Sequence, residues 1–575
     1  MKRRQKSQVL VSVLILMTIV LVLSTALLFH SRSVRQISLL QSKADKAYSL
    51  AKTGIGIAKY LNAQAGAGGC GGGGKTGDYG PFNVSQTEQE TEQIIISMTS
   101  TQITSTGKIL YNQSSGGGVK NARVLTEPVL GGANTTWAKK YWSTTLGDDI
   151  VGWLVLPDDS GYILTGETQG ILRQQVATVV MKTDCYGNVK WADSIEGAKN
   201  KTRTYKALCK ASDGGYLAGM YTTAYGNATQ MLLTKLDANG NLTWAKLYGD
   251  SKIEDPDWII ETTANHSSGY LIAADSTGYG SAGSKYDYLL LKINNTGTKE
   301  WDRLIGGSGD DYPYAAQQRS DGGYIITGTT KSWGTANFML INTNDQGQVG
   351  ASYPGTWIQY YNITSTNEEP RYVEQAVDGG WIMEGTINET GSTKYDILVI
   401  KTNATGCINN TTIPGTWAKK YSNSGVDERG EFFQKTTDGG YLISGTTNAP
   451  GNWDPFLIKL DANGNINWSK AYDINSKNEY LYTAWATNEG GAILCGYSGS
   501  HGGLNQLQYF LFKVNPTGEI GNCSIARNIT FTVTPLNVTN TTPASFNFNN
   551  TPGVTVSSVS PYVNGSAMEV TTVCQ

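Results

Sequence analysis

A tryptophan recurs seven times after residue 130, and this repeat limits the possible folds more than any other feature of the chain. The seven are Trp137, Trp191, Trp244, Trp301, Trp357, Trp417 and Trp468, at spacings of 51 to 60 residues. Successive tryptophans are separated by a glycine turn such as residues 321–323, an apolar run, and a polar turn such as residues 237–241. A unit of this length cannot bury its apolar face alone, so the pattern predicts a propeller or an array of units.

The sequence of each unit predicts four strands separated by turns that contain Gly, Asn and Asp. In the fourth unit we expect strands at residues 312–320, 324–330 and 337–343, and a last strand that starts near Trp357. The strand of Trp137 precedes the first glycine turn, so we expect it to complete the last unit, whose other strands lie near residues 478–515. The sequence therefore predicts a mainly β chain with a seven-bladed β-propeller over residues 131–522.

The stretch from Lys235 to Trp244 resembles the tryptophan-docking repeat of propellers of the pyrroloquinoline quinone type. The resemblance implies a fold in which each tryptophan wedges between neighbouring blades. It implies no quinone chemistry, because the sequence shows no recognisable cofactor constellation, and we expect no cofactor. The polar turn within this stretch also matches part of a calcium loop but lacks the glutamate at the twelfth position. A plain hairpin turn is therefore favoured over a calcium site.

The first 62 residues follow a different pattern. Residues 1–7 form a basic leader, and residues 9–29 are an uncharged run of 21 residues, long enough to span a bilayer as a helix. The basic flank places the N-terminus inside and the rest of the chain outside. Apolar residues then recur at spacings of three and four as far as Leu61, so residues 8–62 are predicted to form one hydrophobic and amphipathic helix.

This N-terminal region resembles that of type IV pilins, and most closely that of minor, pilin-like subunits. The resemblance implies cleavage between Ser7 and Gln8 and assembly with other pilin-like subunits through residues 8–62. Two positions depart from the family pattern: Ser7 stands where Gly or Ala is usual, and Ser12 stands where major pilins carry Glu. These departures favour a minor subunit over a bulk filament subunit. A plain single-pass signal anchor is the alternative, and a cleaved secretory signal is a weaker one.

Two further segments flank the propeller. Residues 63–130 begin with a glycine-rich stretch and then show strand patterns at residues 94–98 and 119–125, which predicts a linker and a small pilin-like β region. Residues 523–575 are rich in Thr, Asn and Val in alternating patterns. They predict either a small β C-terminal module or an extended glycosylated tail.

The asparagines indicate an exported chain. Twenty of the 41 lie in Asn-x-Ser/Thr sequons, an excess typical of N-glycosylated surface loops and, beside a pilin-type leader, of archaeal surface proteins. The candidate glycosylation sites are Asn83, Asn134, Asn227, Asn241, Asn362, Asn403, Asn410, Asn528, Asn537 and Asn564. The alternative is compositional, because Asn- and Thr-rich turns create sequons by chance. The predicted location is the cell envelope, with the propeller outside.

The seven cysteines show no metal-binding spacing. Cys523 and Cys574 bracket the C-terminal segment and are the best disulfide candidates. Cys209 and Cys495 fall in predicted strands and are expected to be buried apolar groups. The net charge of −2 gives no basic surface for nucleic acid.

The recurring polar residues are acids that precede the first strand of most units. A ligand-binding mouth of the propeller would be formed by Asp149, Asp257, Asp311, Glu369, Glu428 and Glu479, with Tyr279, Trp333 and Trp453 from neighbouring loops. Carboxylates beside aromatic rings suit a sugar, and carboxylates alone suit a cation. The alternative is that the acids cap turns and the rings pack loops.

The sequence contains no recognisable catalytic constellation, and only three histidines. A glycosidase needs two carboxylates with different roles, whereas the acids here occupy nearly equivalent positions. We therefore expect a cell-surface pilin-like subunit whose propeller binds surface glycans or proteins, and not an enzyme. The alternatives are a surface-anchored enzyme that acts on polysaccharide and a structural surface or filament protein.

Overall fold

The computed structural model describes most of residues 77–574; the longer gaps are 112–118, 129–135, 144–150, 170–175, 278–284 and 500–507. The chain divides into two units, residues 1–134 and 135–575. The predicted processing site at Ser7 and Gln8 and the predicted helix over residues 8–62 lie outside the described residues. Among the residues that are described, no helix is long and apolar enough to cross a membrane.

The described part of the first unit is an antiparallel sheet of four consecutive strands. These are β1 (Gly77–Gln86), β2 (Glu90–Met98), β3 (Gln102–Tyr111) and β4 (Val119–Pro128). The two strands expected from the sequence lie within β2 and β4. The other two have few apolar residues in alternation, so the period-2 signal of a strand is weak there.

The second unit contains the seven-bladed β-propeller. Its chain begins with β5 (Trp137–Ser143), and blades I to III follow. Blade I consists of β6 (Val151–Asp158), β7 (Gly161–Gln169), β8 (Val176–Asp184) and β9 (Val189–Glu196). Blade II consists of β10 (Thr202–Arg203) and β11 (Leu208–Lys210), which share the inner edge, then β12 (Tyr216–Thr222), β13 (Gln230–Leu236) and β14 (Leu242–Gly249). Blade III consists of β15 (Glu254–Thr262), β16 (Gly269–Ser276), β17 (Asp287–Ile293) and β18 (Lys299–Gly306).

Blades IV to VII repeat the same antiparallel order. Blade IV has β19 (Asp311–Gln318), β20 (Tyr324–Thr330), β21 (Asn337–Thr343) and β22 (Trp357–Asn362). Blade V has β23 (Thr366–Gln375), β24 (Trp381–Glu389), β25 (Asp396–Lys401) and β26 (Trp417–Ser422). Blade VI has β27 (Glu428–Lys435), β28 (Tyr441–Thr447), β29 (Asp454–Leu460) and β30 (Ile466–Tyr472). Blade VII has β31 (Glu479–Ala486), β32 (Ala492–Ser498) and β33 (Gln508–Val514), to which β5 adds the fourth strand.

The ring closes as the sequence predicts. Strand β5 pairs with β33 in the register Trp137 to Lys513, so the first strand of the propeller completes the last blade. Strand β31 of blade VII then contacts β6 of blade I. The seven-bladed count and the closure by the strand of Trp137 are both confirmed.

The repeated tryptophans hold each blade to the next. The ring of Trp417 on β26 covers Gly464, whose left-handed φ of 74° places the turn of blade VI directly against the indole. A neighbouring tyrosine reinforces the contact, since the Tyr421 hydroxyl donates to the carbonyl of Gly464 at 2.8 Å. The same tryptophan-on-glycine contact recurs at Trp137–Gly187, Trp191–Gly240, Trp244–Gly297, Trp301–Gly347, Trp357–Gly406 and Trp468–Gly518.

The polar turns that precede the tryptophans are capped from within. One carboxylate oxygen of Asp237 accepts the backbone N–H of Asn239 at 2.8 Å and that of Asn241 at 2.9 Å. An Asp or Asn makes the same pair of bonds at residues 184, 294, 344, 403, 461 and 515. These acceptors are occupied by backbone donors, as a self-capped hairpin turn requires.

The C-terminal segment differs from the expected small β module. It runs around the whole propeller and adds one outer strand to every blade, and we call residues 526–574 the belt. In order along the chain, the outer strands lie on blades VI, V, IV, III, II, I and VII. They are β34 (Ala526–Asn528), β35 (Thr532–Pro535), β36 (Thr539–Thr541), β37 (Asn547–Asn549), β38 (Thr555–Ser558), β39 (Tyr562–Gly565) and β40 (Met568–Cys574).

The belt has a physical cause in the outer edge of each blade. A four-stranded blade leaves the backbone N–H and C=O groups of its last strand unpaired, and an exposed edge of this kind invites pairing with another chain. The belt supplies the missing partners, and it packs as well as pairs. Phe531 is buried against Phe456 at a ring separation of 5.4 Å, and Asn540 accepts the N–H of Ile408 at 3.0 Å.

Two facts about the cysteines bear on the ends of this belt. Cys523, just before it, is disulfide-bonded, whereas Cys185, Cys209, Cys407 and Cys495 form no disulfide. Cys574 at the other end pairs in register with Ala138, and Cys523 packs against the apolar cluster that contains Ala138. The two ends of the belt therefore meet at blade VII, and the pairing of Cys523 with Cys574 stays a prediction that this geometry favours.

Candidate functional site in the central channel

The innermost strand of almost every blade carries a β-bulge at the same level of the channel. The pairing register skips one residue in β6, β15, β19, β23, β27 and β31. A bulge turns one side chain away from the regular alternation, and bulges often re-aim residues at functional sites. In blades III to VII the bulged residues are Asp257, Tyr314, Arg371, Glu431 and Tyr482, all half-buried, and we call these five the upper channel site.

Arg371 is the centre of this site. Its guanidinium lies 5.0 Å from the ring of Tyr314 and 3.2 Å from the carboxylate of Glu369. Burial alone would lower the pKa of Arg371, but Glu431, Tyr314 and Glu369 outweigh burial and raise it. Asp257, two blades away, also interacts electrostatically with Arg371. Among the described residues, the buried Nε of Arg371 has no hydrogen-bond partner.

Three aspartates of blade III form the acidic side of the site. The carboxyl groups of Asp257 and Asp275 hydrogen-bond each other. Burial, together with Asp275 and Asp255, raises the pKa of Asp257 well above its usual range. Burial and Asp255 do the same for Asp275, and burial and Glu167 raise the pKa of Asp255 to about 7. Two hydrogen-bonded carboxyl groups cannot both ionise easily, so burial and their mutual repulsion favour the form in which one of them carries a proton.

The predicted acids do not all lie together. Asp311, Glu428 and Glu479 begin the inner strands and are fully buried between blades. Asp311, for example, accepts hydrogen bonds from the hydroxyls of Thr330 at 2.5 Å and Ser332 at 2.7 Å and from the N–H of Gly307 at 2.8 Å. These bonds fasten the strand start to adjacent chain segments. A ligand at the channel mouth would not reach such a carboxylate.

Of the predicted acids that the structure describes, Asp257 and Glu369 lie at the upper channel site. Asp257 is one of its bulged residues, and Glu369 is 37% exposed and paired with Arg371. Asp149 and Tyr279 lie outside the described residues. The role of all these residues in binding stays a prediction.

The two remaining predicted aromatics are packed against other rings. Trp333 stacks on Tyr360 with ring centres 5.6 Å apart and planes at 15°. The ring centre of Trp453 lies 5.9 Å from that of Tyr480, and the guanidinium of Arg429 lies over the Trp453 ring at 5.2 Å. The second arrangement is more open, because half of the Arg429 side chain is exposed.

One cluster has the oxygen spacing of a metal site but already holds a cation of the protein. Asp454, Asp473 and Glu479 each place one oxygen within 4.8 Å of the others. The guanidinium of Arg527, on the first strand of the belt, pairs with Asp454. The negative charge of this cluster is therefore partly balanced by a cation of the protein itself.

The candidate glycosylation sites divide by exposure. Asn241, Asn528 and Asn537 are exposed, and Asn362 and Asn403 are half-buried. Asn134, Asn227 and Asn410 lie outside the described residues. The side chains of Asn83 and Asn564 are likewise not described. Cys209 and Cys495 are buried, as expected of apolar groups in strands.

An aromatic layer, which we call the aromatic plug, closes the channel below the upper site. Trp258 of blade III lies 5.4 Å from Tyr372 of blade V and 6.3 Å from Phe432 of blade VI. Phe432 lies in turn 5.3 Å from Trp485 of blade VII. Blades III and VI are on opposite sides of a seven-membered ring, so these rings meet across the axis.

Below the plug lies a cavity of about 800 Å³, the lower cavity. It is lined by the ends of the inner strands of blades I to V and by Trp485. Its size falls within the range of small-molecule sites, about 300–1,000 Å³.

Sequence reasoning missed the upper channel site, the plug and the lower cavity. A signal for the upper channel site was present in the sequence. Three residues after the acids Glu254, Asp311, Glu368, Glu428 and Glu479, the residue type varies among blades III to VII: Asp257, Tyr314, Arg371, Glu431 and Tyr482. Aligning the units on the acid would have shown this variation. The convergence of Trp258, Phe432 and Trp485 has no local signal, because it depends on closing the ring. No protein-family model matches the chain, and no curated protein sequence matches it significantly.

Proposed function

We propose that this chain is a recognition or adhesion subunit of the cell envelope that binds its ligand at the upper channel site. The observation that carries the proposal is the variation of the bulged residue from blade to blade. Residues that hold blades together repeat in all seven, as Trp417 and Gly464 illustrate. A ligand without sevenfold symmetry needs different groups on different blades, and this position of the inner strands supplies them.

The chemistry of the site suits a hydroxyl-rich ligand, such as a surface glycan or a glycosylated protein. Arg371 offers donors, Glu431 offers acceptors, and Tyr314 and Tyr482 offer rings on which the apolar face of a sugar can lie. The raised pKa of Asp257 favours a protonated carboxyl group beside Asp275, and such a pair can both donate and accept hydrogen bonds. Mixed donors and acceptors beside aromatic rings are typical of polar small-molecule sites.

Substitution of Arg371 tests this proposal. The purified full chain and its Arg371→Gln variant are screened on a glycan array and on fragments of the native envelope. We expect at least a tenfold loss of binding, because a charged hydrogen bond to a ligand contributes about 1.5–3 kcal/mol. The control is Lys246→Gln, which removes a rim lysine that bonds the carbonyl of Thr296. Equal binding by Arg371→Gln and wild type, with both folded, would exclude the site.

Surface display is the second part of the proposal. The basic leader, the apolar run and the sequon excess support a pilin-like subunit that enters a filament or stays in the membrane through residues 8–62. Mass spectrometry of the protein from its native envelope tests this. A mature chain that starts at Gln8 with glycans on Asn241 or Asn537 is expected. An intact Met1 would argue for a plain membrane anchor.

An enzyme that acts on polysaccharide is the alternative, and one observation favours it. Burial and Asp275 raise the pKa of Asp257, whereas Glu369 is half-exposed beside Arg371. Carboxyl groups in such different environments are what a general acid and its partner need. Release of reducing ends from a polysaccharide panel, abolished by Asp257→Asn, would establish this activity. We propose recognition without turnover, so we expect no release.

A further inference from the structure

The lower cavity is a second place where the repeat is broken. Blades III, V and VII deliver Trp258, Tyr372 and Trp485 to its floor, whereas blades I and II deliver Leu156 and Leu208. The floor is therefore aromatic on one side and aliphatic on the other. A flat ring with one apolar face fits such a floor, because aromatic side chains bind through large, rigid surfaces.

The wall of the cavity carries two amide side chains whose Nε2 donors make long hydrogen bonds, while the Oε1 of Gln318 accepts the N–H of Thr263 at 2.9 Å. The Nε2 of Gln375 lies 3.5 Å from the carbonyl of Gly379, and that of Gln318 lies 3.4 Å from the carbonyl of Gly322. Both distances exceed the usual 2.7–3.2 Å for an N–H donor. These amides can therefore exchange a weak internal bond for a better one to a ligand hydroxyl.

The charges around the cavity are largely compensated within the protein. Both carboxylate oxygens of Glu261 accept the N–H of Ser212, at 2.8 and 2.9 Å, and the guanidinium of Arg319 pairs with Asp321. A charged ligand would have to compete with these partners. A neutral ligand would not.

The indole of Trp485 adds an unsatisfied donor. Its Nε1 is buried and has no hydrogen-bond partner among the described residues. A buried donor without an acceptor costs about 1–3 kcal/mol. Because this N–H is buried away from the cavity surface, Trp485 contacts the cavity through the carbon atoms of its ring.

We infer that the lower cavity is a binding site for a neutral saccharide, with the sugar ring on Trp258 and Trp485 and its hydroxyls on Gln318 and Gln375. This inference goes beyond the proposed function, since the site lies on the far side of the aromatic plug from Arg371. Its volume accommodates a short oligosaccharide end and excludes a folded protein.

Binding to the full-length chain tests the inference, with cellotriose, maltotriose and the N-acetylglucosamine trimer as probes. Tryptophan fluorescence and saturation-transfer NMR report on contact with the sugar. We expect at least one probe to bind, with a tenfold or larger loss of affinity in Trp485→Ala and a smaller loss in Gln375→Ala. Matched controls are Trp453→Ala, on the other face of the propeller, and Gln346→Ala, in an exposed turn; neither is expected to change the affinity. Thermal unfolding shows whether each variant is folded.

The outcomes separate this site from the upper one. Binding that is lost in Trp485→Ala but kept in Arg371→Gln supports a neutral-saccharide site in the lower cavity. Binding to none of the three probes overturns it, as does binding that survives both Trp485→Ala and Gln375→Ala. Tenfold stronger binding of a charged oligosaccharide at this cavity would overturn the neutral ligand. None of these failures affects the Arg371-dependent binding proposed above.

Discussion

The outer rim and the inner channel of the same seven blades follow opposite rules. On the rim, a tryptophan covers a left-handed glycine at every blade junction, and a strand of the belt pairs with every outer edge. In the channel, the bulged residue of blades III to VII is an acid, a base or a tyrosine, depending on the blade. The contrast indicates that the residues repeated in every blade form the scaffold, whereas the residues that differ between blades determine which ligand is bound. Four changes test this contrast.

Removal of the belt should have the largest effect on the rim. A chain that ends at residue 522 loses the outer strand of all seven blades. We expect a loss of at least about 5 kcal/mol, comparable with the whole net stability of many domains, and aggregation through the exposed edges. Thermal unfolding with light scattering measures both. A chain that ends at Cys574 is the control, and a truncated chain that unfolds like it would show that the belt is not structural.

Cys574→Ser tests whether the belt is closed covalently. A disulfide from Cys523 to Cys574 would close a loop of about 50 residues, for which chain-entropy arguments give on the order of 4 kcal/mol. We expect a clear drop in unfolding temperature and one new reactive thiol at Cys523. Cys407→Ser, which removes a free thiol, serves for comparison. If Cys523 stays bonded in Cys574→Ser, its partner is another cysteine.

Gly464→Ala tests one tryptophan junction. An added Cβ would lie 2.6 Å from the Trp417 ring, and the backbone φ of 74° disfavours any side chain. Overpacking and backbone strain together predict a loss of about 2–4 kcal/mol in denaturant unfolding. Gly439→Ala is a matched control with φ of 82° and open space, so it should cost only the strain, about 1–2 kcal/mol. Equal losses of stability in Gly464→Ala and Gly439→Ala would mean that the Trp417 ring moves aside without a cost in free energy.

Asp287→Asn tests an acid between blades III and IV. Burial, followed by Asp311 and Asp310, raises the pKa of Asp287 to about 7. The folded protein therefore favours the neutral form of Asp287. The contribution of Asp287 to the free energy of unfolding is fully present below about pH 4, and it is lost as the pH rises through 7. Glu428 and Glu479 have a pKa of about 7 for the same main reason, so the whole protein should be less stable at pH 8 than at pH 5.

The amide in Asp287→Asn cannot ionise, so the variant should gain about 1–2 kcal/mol over wild type at pH 8 and little at pH 5. Thermal unfolding at the two pH values measures this difference. An unchanged gap between variant and wild type across the range would show that Asp287 ionises normally.

The propeller was predictable because every repeat contains, within its own residues, the pattern that produces a blade. The tryptophan spacing, the glycine turns and the position of Trp137 before the first turn sufficed for the number of blades and for the closure. The belt was not predictable in this way. Its strands are mostly three or four residues long. The sequence of a strand such as residues 539–541 does not indicate which blade edge it will pair with. A strand that exists only because a partner edge is available has no pattern of its own.

The candidate site was only partly predictable for a related reason. The recurrent acids were visible, but Asp311 and its equivalents turned out to be buried in strand-start hydrogen bonds. The residues that meet at the axis come from blades far apart in sequence, as Trp258 and Phe432 do. Their proximity follows from ring closure and from the bulges, neither of which a single repeat reveals.

Blade VII combines strands from the two ends of the propeller chain. The ring can therefore close only as a late step of folding. Lys140, near the start, bonds Ser498, 358 positions later, and β40 then covers the strand that contains Lys140. The ring cannot close until β33 of blade VII has left the ribosome, because β33 is the strand with which β5 pairs to complete the last blade. Six blades must wait as an open arc with both end faces exposed, and contacts between such distant residues form slowly. Synthesis of blade VII thus acts as a check on the whole propeller, since a chain that stops before β33 lacks the partner of β5 and leaves the ring open.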